Sequence, residues 1–557
     1  MSTQKTQSQK TLLGGSAVIA ASILLIIWLF PILTHHFELK ITDLKYHLRS
    51  YLHRDPRMNP DIVLVNLDDI SKKESGYDLW PYAYYARVIQ KINAGGPTSL
   101  GIDILFTISI DTLGWPQVLT AIEESYVAVN PYFIEFGPDQ TPLIVGENTD
   151  ILNELQYDEL PQIQSGLARH GVNIPYKPKP KFIEAAGLGF INIEEDSDGI
   201  LRRIPIIAEL NNMLVPHFFL RLLCEHLNYL PKNIELINKH KLVLHKFPQN
   251  GKLTELEIPL DGEGNMLINY MSYTKIKNLI SSGTVSSIPA WSLINYPRPV
   301  ELKGKTIIFG DYSAAAKDFS NTPLDGQLAN PLIYAIAMSN ILENDFIQPI
   351  SYQTALIYLI VFIALLLLLS TILDVFKFGL TSAGLMLLFM LFNFAAFIYL
   401  NQLVPVFNIL LPTFGAAGYI LIFRIYESQV TMGVLEGSLQ SYLSPHLMDK
   451  IKNDPDMLKL GGERKRISVL FSDIAGFTSF TDQADPAEVQ DVLEEYFSVM
   501  TSIVFANKGI VDKYMGDGIM AFFENPPDGV TSAQTAVKSA VEMQEKADEL
   551  DEKYKDQ

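Results

Sequence analysis

Four uncharged apolar runs divide the chain: Leu12–Leu33, Gln353–Leu373, Phe378–Leu400 and Val404–Phe423. Each is long enough to cross a bilayer as a helix, and the last three follow one another across the short links Asp374–Lys377 and Asn401–Leu403. Buried soluble helices rarely come in such tandem. Lys5 and Lys10 precede the first run and place the N-terminus, residues 1–11, on the cytoplasmic side. No small-x-small cleavage site follows that run, so an uncleaved anchor is expected rather than a signal peptide. Four crossings from that start return the chain to the cytoplasm at Arg424. The pattern therefore predicts a multi-pass protein of the plasma (inner) membrane, with both termini cytoplasmic and residues 36–350 outside.

That outer region is large enough for a folded domain. Ile62–Leu67 reads as a buried strand, Tyr82–Asn93 as an amphipathic helix closed by Gly95-Gly96-Pro97, and Leu100–Phe106 as another strand. Phe190–Glu194 and Leu201–Ile207 flank Asp198-Gly199 and predict a hairpin. Thr306–Gly310 predicts a late strand and Leu332–Leu342 a final helix. The polar segment Gly137–Lys181, with Pro175, Pro178 and Pro180, predicts a long surface loop. The outer domain is thus mixed α/β. Beyond the membrane, residues 424–462 form a linker in which Met432, Leu435, Leu439 and Tyr442 recur at helical spacing, suited to pairing two helices or to packing on the domain that follows.

The last segment, 463–557, changes pattern again. Ile467, Val469 and Phe471 alternate as in a half-buried strand that delivers Asp473 to its end. Asp485, Pro486 and Glu488 form a helix start with a capping box, and Val489 through Val504 keep helical spacing until Gly509. Ile510–Met515 and Ile519–Phe523 then meet across a turn at Gly516-Asp517, and another helix begins near Thr531. This order brings carboxylates to a strand end and to a hairpin turn. A hydroxyl cannot attack a nucleoside triphosphate unless cations neutralise its phosphates, and Mg²⁺ favours one or two carboxylates with waters and phosphate oxygens. Asp473 and Asp517 suit that task, and the turn Ala475-Gly476-Phe477-Thr478 is small enough for backbone N–H groups to approach phosphate oxygens.

Composition narrows the alternatives. A net charge of -19 argues against nucleic acid as a partner. Cys224 is the only cysteine, which excludes an internal disulfide and a cysteine-based zinc site. No Gly-Gly-Asp/Glu-Glu-Phe string or Gly-rich ATP lid is present, which argues against a diguanylate cyclase and a histidine kinase.

The strings Asp473-Ile474-Ala475-Gly476-Phe477-Thr478 and Lys513-Tyr514-Met515-Gly516-Asp517 resemble those of the class III nucleotide cyclases. The resemblance implies a ferredoxin-like α+β catalytic domain working as a homodimer, with two Mg²⁺ or Mn²⁺ ions per site held by Asp473 and Asp517 and assisted by the Ile474 carbonyl. It implies that Gly476, Phe477 and Thr478 contact substrate. Lys513 would read the adenine of ATP in the opposite site, since this position is Lys in adenylate and Glu in guanylate cyclases. The ribose 3′-hydroxyl would attack the α-phosphorus and release pyrophosphate. Family members continue for roughly another half-domain, with a second base-reading residue and the Asn and Arg that stabilise the transition state. Since the sequence stops at Gln557, the catalytic domain is expected to be partial, and a non-catalytic membrane sensor that modulates a partner is the second reading.

The outer region resembles the CHASE-type extracytoplasmic sensor domains, second subclass, through Leu67-Asp68-Asp69, Trp80-Pro81, Gly101–Phe106, the Asp198-Gly199 to Arg202-Arg203 stretch and the three spans behind it. That resemblance implies an extracytoplasmic ligand of unknown identity. Asp69, Trp80 and Asp103 are candidates to line its pocket, with helix capping and turn formation as the competing explanation. His35 and His36 beside the first span read as interfacial polar residues.

Overall fold

A computed structural model describes residues 2–30, 32–106, 114–138, 148–155, 168–211, 213–249, 251–297, 300–316, 318–440, 464–482, 484–525 and 530–554. The chain divides into two compact units, Met1–Leu421 and Ile422–Gln557. The elements used below are helices α1 Ser2–Leu29, α2 Ile32–Tyr51, α3 Tyr82–Ala94, α4 Trp115–Glu123, α5 Phe218–Leu227, α6 Asn330–Leu342, α7 Tyr352–Ile372, α8 Val375–Leu400, α9 Phe407–Gln440, α10 Pro486–Ala506 and α11 Ser532–Tyr554. The strands are β1 Ile62–Leu67, β2 Ser99–Asp103, β3 Ala128–Phe136, β4 Arg169–Tyr176, β5 Gly187–Phe190, β6 Ile207–Leu210, β7 Met213–Pro216, β8 Ser286–Pro289, β9 Thr306–Asp311, β10 Ser468–Ser472, β11 Ile510–Met515 and β12 Gly518–Phe523.

The first unit is built on a nine-stranded sheet in the order β8-β1-β9-β2-β3-β4-β6-β7, with β5 also beside β3. Its centre is parallel: β1 pairs with β8 and β9, β9 with β2, and β2 with β3. A parallel sheet is covered on both faces, which is why β1 reads as a continuous apolar run. Val63, Val65 and Leu67 pack with Val88, Ile89 and Ile92 of α3, while Ile62 and Leu64 pack with Phe218 and Leu222 of α5 and Ile333 of α6. The expected strands at Ile62–Leu67 and Thr306–Gly310 and the helices near Tyr82 and Leu332 are present.

Two expectations fail here. Asp198-Gly199 does form a turn, with Gly199 at φ 75° and the Asp196 N–H donating to Ile200 O at 2.9 Å. Its flanks do not pair, because β5 joins β3 and residues Arg203–Pro205 join Asn265–Leu267. The stretch Gly137–Lys181 is not a plain loop either. Within it a helix, Thr149–Leu155, buries Ile151, Leu152 and Leu155, and β4 enters the sheet with Ile174 buried. Those apolar side chains are sparse enough to be hidden by the surrounding polar residues when only composition is read.

Among the described residues four helices are long and apolar enough to cross a membrane: Lys10–Leu29 within α1, α7, α8, and Phe407–Val434 within α9. Helix α2 ties them to the sheet domain. Its Asp43 carboxylate accepts from Arg202 at 2.7 and 2.8 Å, its Tyr46 hydroxyl donates to Ile268 O at 2.7 Å, and its Arg49 donates to Tyr270 O at 3.0 Å. The Arg49 guanidinium also lies 5.0 Å above the ring of Phe397 in α8. Farther up the same helix, Lys45 donates to Val404 O at 3.1 Å, and the Glu38 carboxylate accepts from the N–H groups of Val406 and Phe407 at 2.7 and 2.9 Å. That caps α9 with the negative charge its N-terminus favours. Asn393 of α8 is buried and donates to Val404 O at 3.0 Å. His35 and His36 are exposed on α2.

In the second unit β10, β12 and β11 form an antiparallel sheet in that order. The helices α10 and α11 cover one face, packing Tyr496, Met500, Val504, Ala536 and Met543 on Leu470, Ile519, Ala521 and Phe523. This reverses the expected burial of β10: Ile467, Val469 and Phe471 are 42%, 45% and 63% exposed, while Leu470 is buried. Alternation gives two faces and does not say which one a helix covers. The capping box at Asp485 and Glu488 forms as expected. Of the linker seam, Met432 is exposed on α9, whereas the side chains of Leu435 and Leu439 and all of Tyr442 lie outside the described residues.

Candidate functional site

The site in the second unit is assembled by strand register. Ser472 is paired with Ile519, so the residue after it, Asp473, comes to rest over Gly518. A Cβ placed on Gly518 would stand 3.0 Å from Ser472 O and 3.3 Å from Asp473 Oδ1. Only glycine leaves the first strand end and its carboxylate this close to the hairpin. Asp517 precedes Gly518 in the hairpin, and its charge, like that of Asp473, reaches the Tyr496 phenol. Tyr496 of α10 stands between the strand end and the helix layer, its hydroxyl donating to Ser472 Oγ at 3.4 Å. Burial, reinforced by the charges of Asp473 and Asp517 and opposed by that hydrogen bond, raises its phenol above the ordinary range.

After Asp473 the chain turns tightly. The Phe477 N–H donates to the Ile474 carbonyl at 3.3 Å, which leaves that oxygen a second lone pair. Gly476 adopts φ 78°, a left-handed conformation that favours glycine, and starts the short helix Phe477–Thr481. Asp473, Ile474, Gly476 and Phe477 line one cavity of about 810 Å³ that continues between α10 and α11. Its far wall carries acidic and apolar groups that sequence reading assigned to helix faces or not at all, among them Tyr496, Asp548 and Asp551. Tyr496 could be counted only as a position in the helical pattern, because its nearness to the aspartates depends on the sheet register.

Not every expected residue gathers here. Thr478 is exposed and stands off the cavity. Lys513 projects from β11, its side chain 58% exposed and its Nζ 3.4 Å from Asp512. Neither it nor Asp517 is part of the cavity wall that holds Asp473.

The donor set fits a hard divalent cation. Asp473 is exposed and Asp517 half-buried, and neither has an ion-pair partner among the described residues. No cluster of three or more His, Cys, Asp or Glu able to hold a metal occurs among those residues. Two carboxylates and a carbonyl make an incomplete shell of the kind that Mg²⁺ fills with waters and substrate phosphates.

Two family models match this chain: the CHASE2 domain over residues 18–370, and the Adenylate and Guanylate cyclase catalytic domain over residues 462–557. Among curated proteins, an adenylate cyclase of Anabaena cylindrica is 35% identical over 88 residues, 16% of either chain. The terminal-differentiation specific adenylate cyclase of Dictyostelium discoideum is 38% identical over 84 residues, 15% of this chain and 4% of that one. The chain thus spans less than a fifth of the length of these relatives. Among solved structures, the adenylyl cyclase CyaB of P. aeruginosa matches at 31% identity over 17% of this chain and 50% of that one, with TM-score 0.16. A guanylyl cyclase matches at 38% identity over 17% of this chain and 48% of its own, again with TM-score 0.16. Since the first match extends over more than half of the 557 residues, the chain belongs to the CHASE2 domain family, and it joins that sensor domain and four apolar helices to a class III nucleotide cyclase catalytic domain.

Proposed function

We propose that this protein is a membrane sensor cyclase that converts ATP to cyclic AMP and pyrophosphate. The observation that carries the proposal is the seating of Asp473 over Gly518, the residue after Asp517, with no counter-ion on either carboxylate among the described residues. These two aspartates and the Ile474 carbonyl hold two Mg²⁺ or Mn²⁺ ions, which supply charge neutralisation at the triphosphate. The Gly476-Phe477 turn orients the phosphates, and the ribose 3′-hydroxyl would displace pyrophosphate from the α-phosphorus. Lys513 is exposed and does not line the cavity that holds Asp473 in its own chain. That exposure supports a homodimer in which it reads the adenine bound by a second copy. Lys5 and Lys10 favour a cytoplasmic N-terminus, and an even number of spans puts the catalytic unit on the side where nucleotides are made.

The test is product analysis in membranes carrying the protein, with ATP and GTP supplied separately and Mn²⁺ present. Cyclic AMP that disappears in Asp473→Ala, with unchanged protein level, supports the reading. Cyclic GMP as the sole product would overturn the ATP assignment. Nucleotide binding without either product would favour the non-catalytic sensor.

A further inference from the structure

At the carboxyl ends of the parallel strands the chain leaves two neighbours in opposite directions. Strand β2 leads to α4 on the face that carries α3, and β9 leads to α6 on the face that carries α5. In open α/β sheets the crevice at such a point is where ligands bind. Here it holds a cavity of about 420 Å³, lined by Phe133, Ile191, Ile193, Glu195, Asp318 and Tyr334 together with Ser320 and Asn330. Asp103 ends β2 and does not itself line the cavity, but it lies close enough to Asp318 to feel its charge. Its Oδ2 is shielded from solvent and has no hydrogen-bond partner, and the same holds for the hydroxyl of Tyr312 just past β9. Asp318 is held by Asn330 Nδ2 at 2.5 Å, and Ser320 in turn donates to Asn330 Oδ1 at 2.9 Å.

Folding alone does not account for this arrangement. Burial, then the neighbouring carboxylate charge, raises Asp103 well above the ordinary range, and burial raises Asp318. A carboxyl oxygen shielded from solvent without a counter-ion among the described residues costs stability, and proteins keep such groups chiefly at sites of function. No Lys or Arg is found among the described lining residues, which disfavours an anion. The acidic groups do not form a metal cluster among the described residues. Phe133, Ile191, Ile193 and the Tyr334 ring offer an apolar wall, and an aromatic face also attracts a cation.

We propose that this cavity is the sensor's ligand site and takes a small organic cation, a protonated amine with an apolar body, its ammonium group against Asp318 with Asp103 behind it and its body against Phe133 and Tyr334. Trp80 and Asp69 take no part in it. Trp80 is core, with its indole N–H donating to Ser75 at 2.8 Å, and Asp69 accepts from the Ala314 N–H at 3.2 Å. The proposal deepens the sensor half of the proposed function and is tested by binding, so its failure leaves the cyclase reading standing.

The experiment is calorimetry on the full chain in lipid nanodiscs with 2-phenylethylammonium chloride, against the neutral 2-phenylethanol, the anionic phenylacetate and calcium chloride alone. The ammonium probe binds at millimolar concentration or below, and Asp318→Asn and Asp103→Asn each weaken it roughly tenfold or more. If Asp318→Asn does not fold, Glu195→Gln is expected to weaken binding as well. Asp103→Asn without ligand melts at or above the parent temperature, since it removes an unpartnered carboxyl whose ionisation burial already opposes. Equal binding of the neutral alcohol, binding of calcium in place of the amine, absence of any amine binding, or a marked fall in melting temperature for Asp103→Asn would each overturn the proposal.

Discussion

Replacing Arg202 with leucine removes the centre of the buried ion network that fastens α2 to the sensor domain. The Arg202 side chain is 1% exposed. It donates to Asp43 at 2.7 and 2.8 Å, to Asp196 at 2.8 Å and to Asp198 at 2.8 and 2.9 Å. Without it three carboxylates remain close together. Lys40 is their main residual partner at 3.2 Å from Asp198 and 3.8 Å from Asp43, with Arg203 at 3.0 Å from Asp196. Breaking a buried pair from one side costs about 3–5 kcal/mol, and for a domain of this size that lowers the melting temperature by roughly 6–20 °C. Arg202→Lys keeps the charge but loses the planar fork, and is expected to fall between the two. The pH dependence has a definite sign. The Arg202 hydrogen bond holds Asp198 below the usual carboxylate range. Its stabilisation is therefore complete above the unfolded-state value of about 3.9 and is lost as pH falls through the lower folded-state value. Thermal unfolding in nanodiscs, followed at neutral pH and in acid, measures both effects. A loss below about 1 kcal/mol for Arg202→Leu, in the range of exposed pairs, would refute the buried-network argument.

Three further substitutions test other links. Gly518→Ala drives a methyl group against Ser472 O at 3.0 Å and Asp473 Oδ1 at 3.3 Å. It is expected to cost about 1–3 kcal/mol and to weaken Mn²⁺ binding, so unchanged affinity would remove the glycine from the site's design. Lys513→Glu should cut ATP turnover at least roughly tenfold, the loss of one charged hydrogen bond, with little change in melting temperature because the side chain is exposed; intact ATP kinetics would end its base-reading role. Glu38→Ala frees the N–H groups of Val406 and Phe407. Hydrogen exchange at those amides should speed up in line with the loss of about 0.5–2 kcal/mol of capping, and unchanged protection would show that α2 does not hold the start of α9.

Local signals carried much of this structure. The four apolar runs, the β1 strand, the Asp485 cap and the two cyclase strings are contiguous in sequence and obey short-range rules, so each could be read directly. What needed the fold was whichever face or partner is chosen from far away. Leu470 rather than Val469 is buried because α10 and α11 lie on its side of the sheet. The Arg202 network depends on Asp43, 159 positions away, so the motif was visible and its purpose was not. Asp103 was legible as a strand-end acid, but its companion Asp318 follows another strand, and the register of β9 beside β2 is what unites them. Trp80, a candidate pocket residue by its sequence string, is buried in the core.

The central claim is that Asp473 and Asp517 together hold the catalytic metal ions. Electron paramagnetic resonance of Mn²⁺, titrated into the nanodisc-embedded protein with a non-cyclisable ATP analogue present, tests it without relying on turnover. The account predicts tight nucleotide-dependent Mn²⁺ binding that is lost in both Asp473→Asn and Asp517→Asn, while melting temperature is unchanged. Parent-like binding in either variant would contradict it.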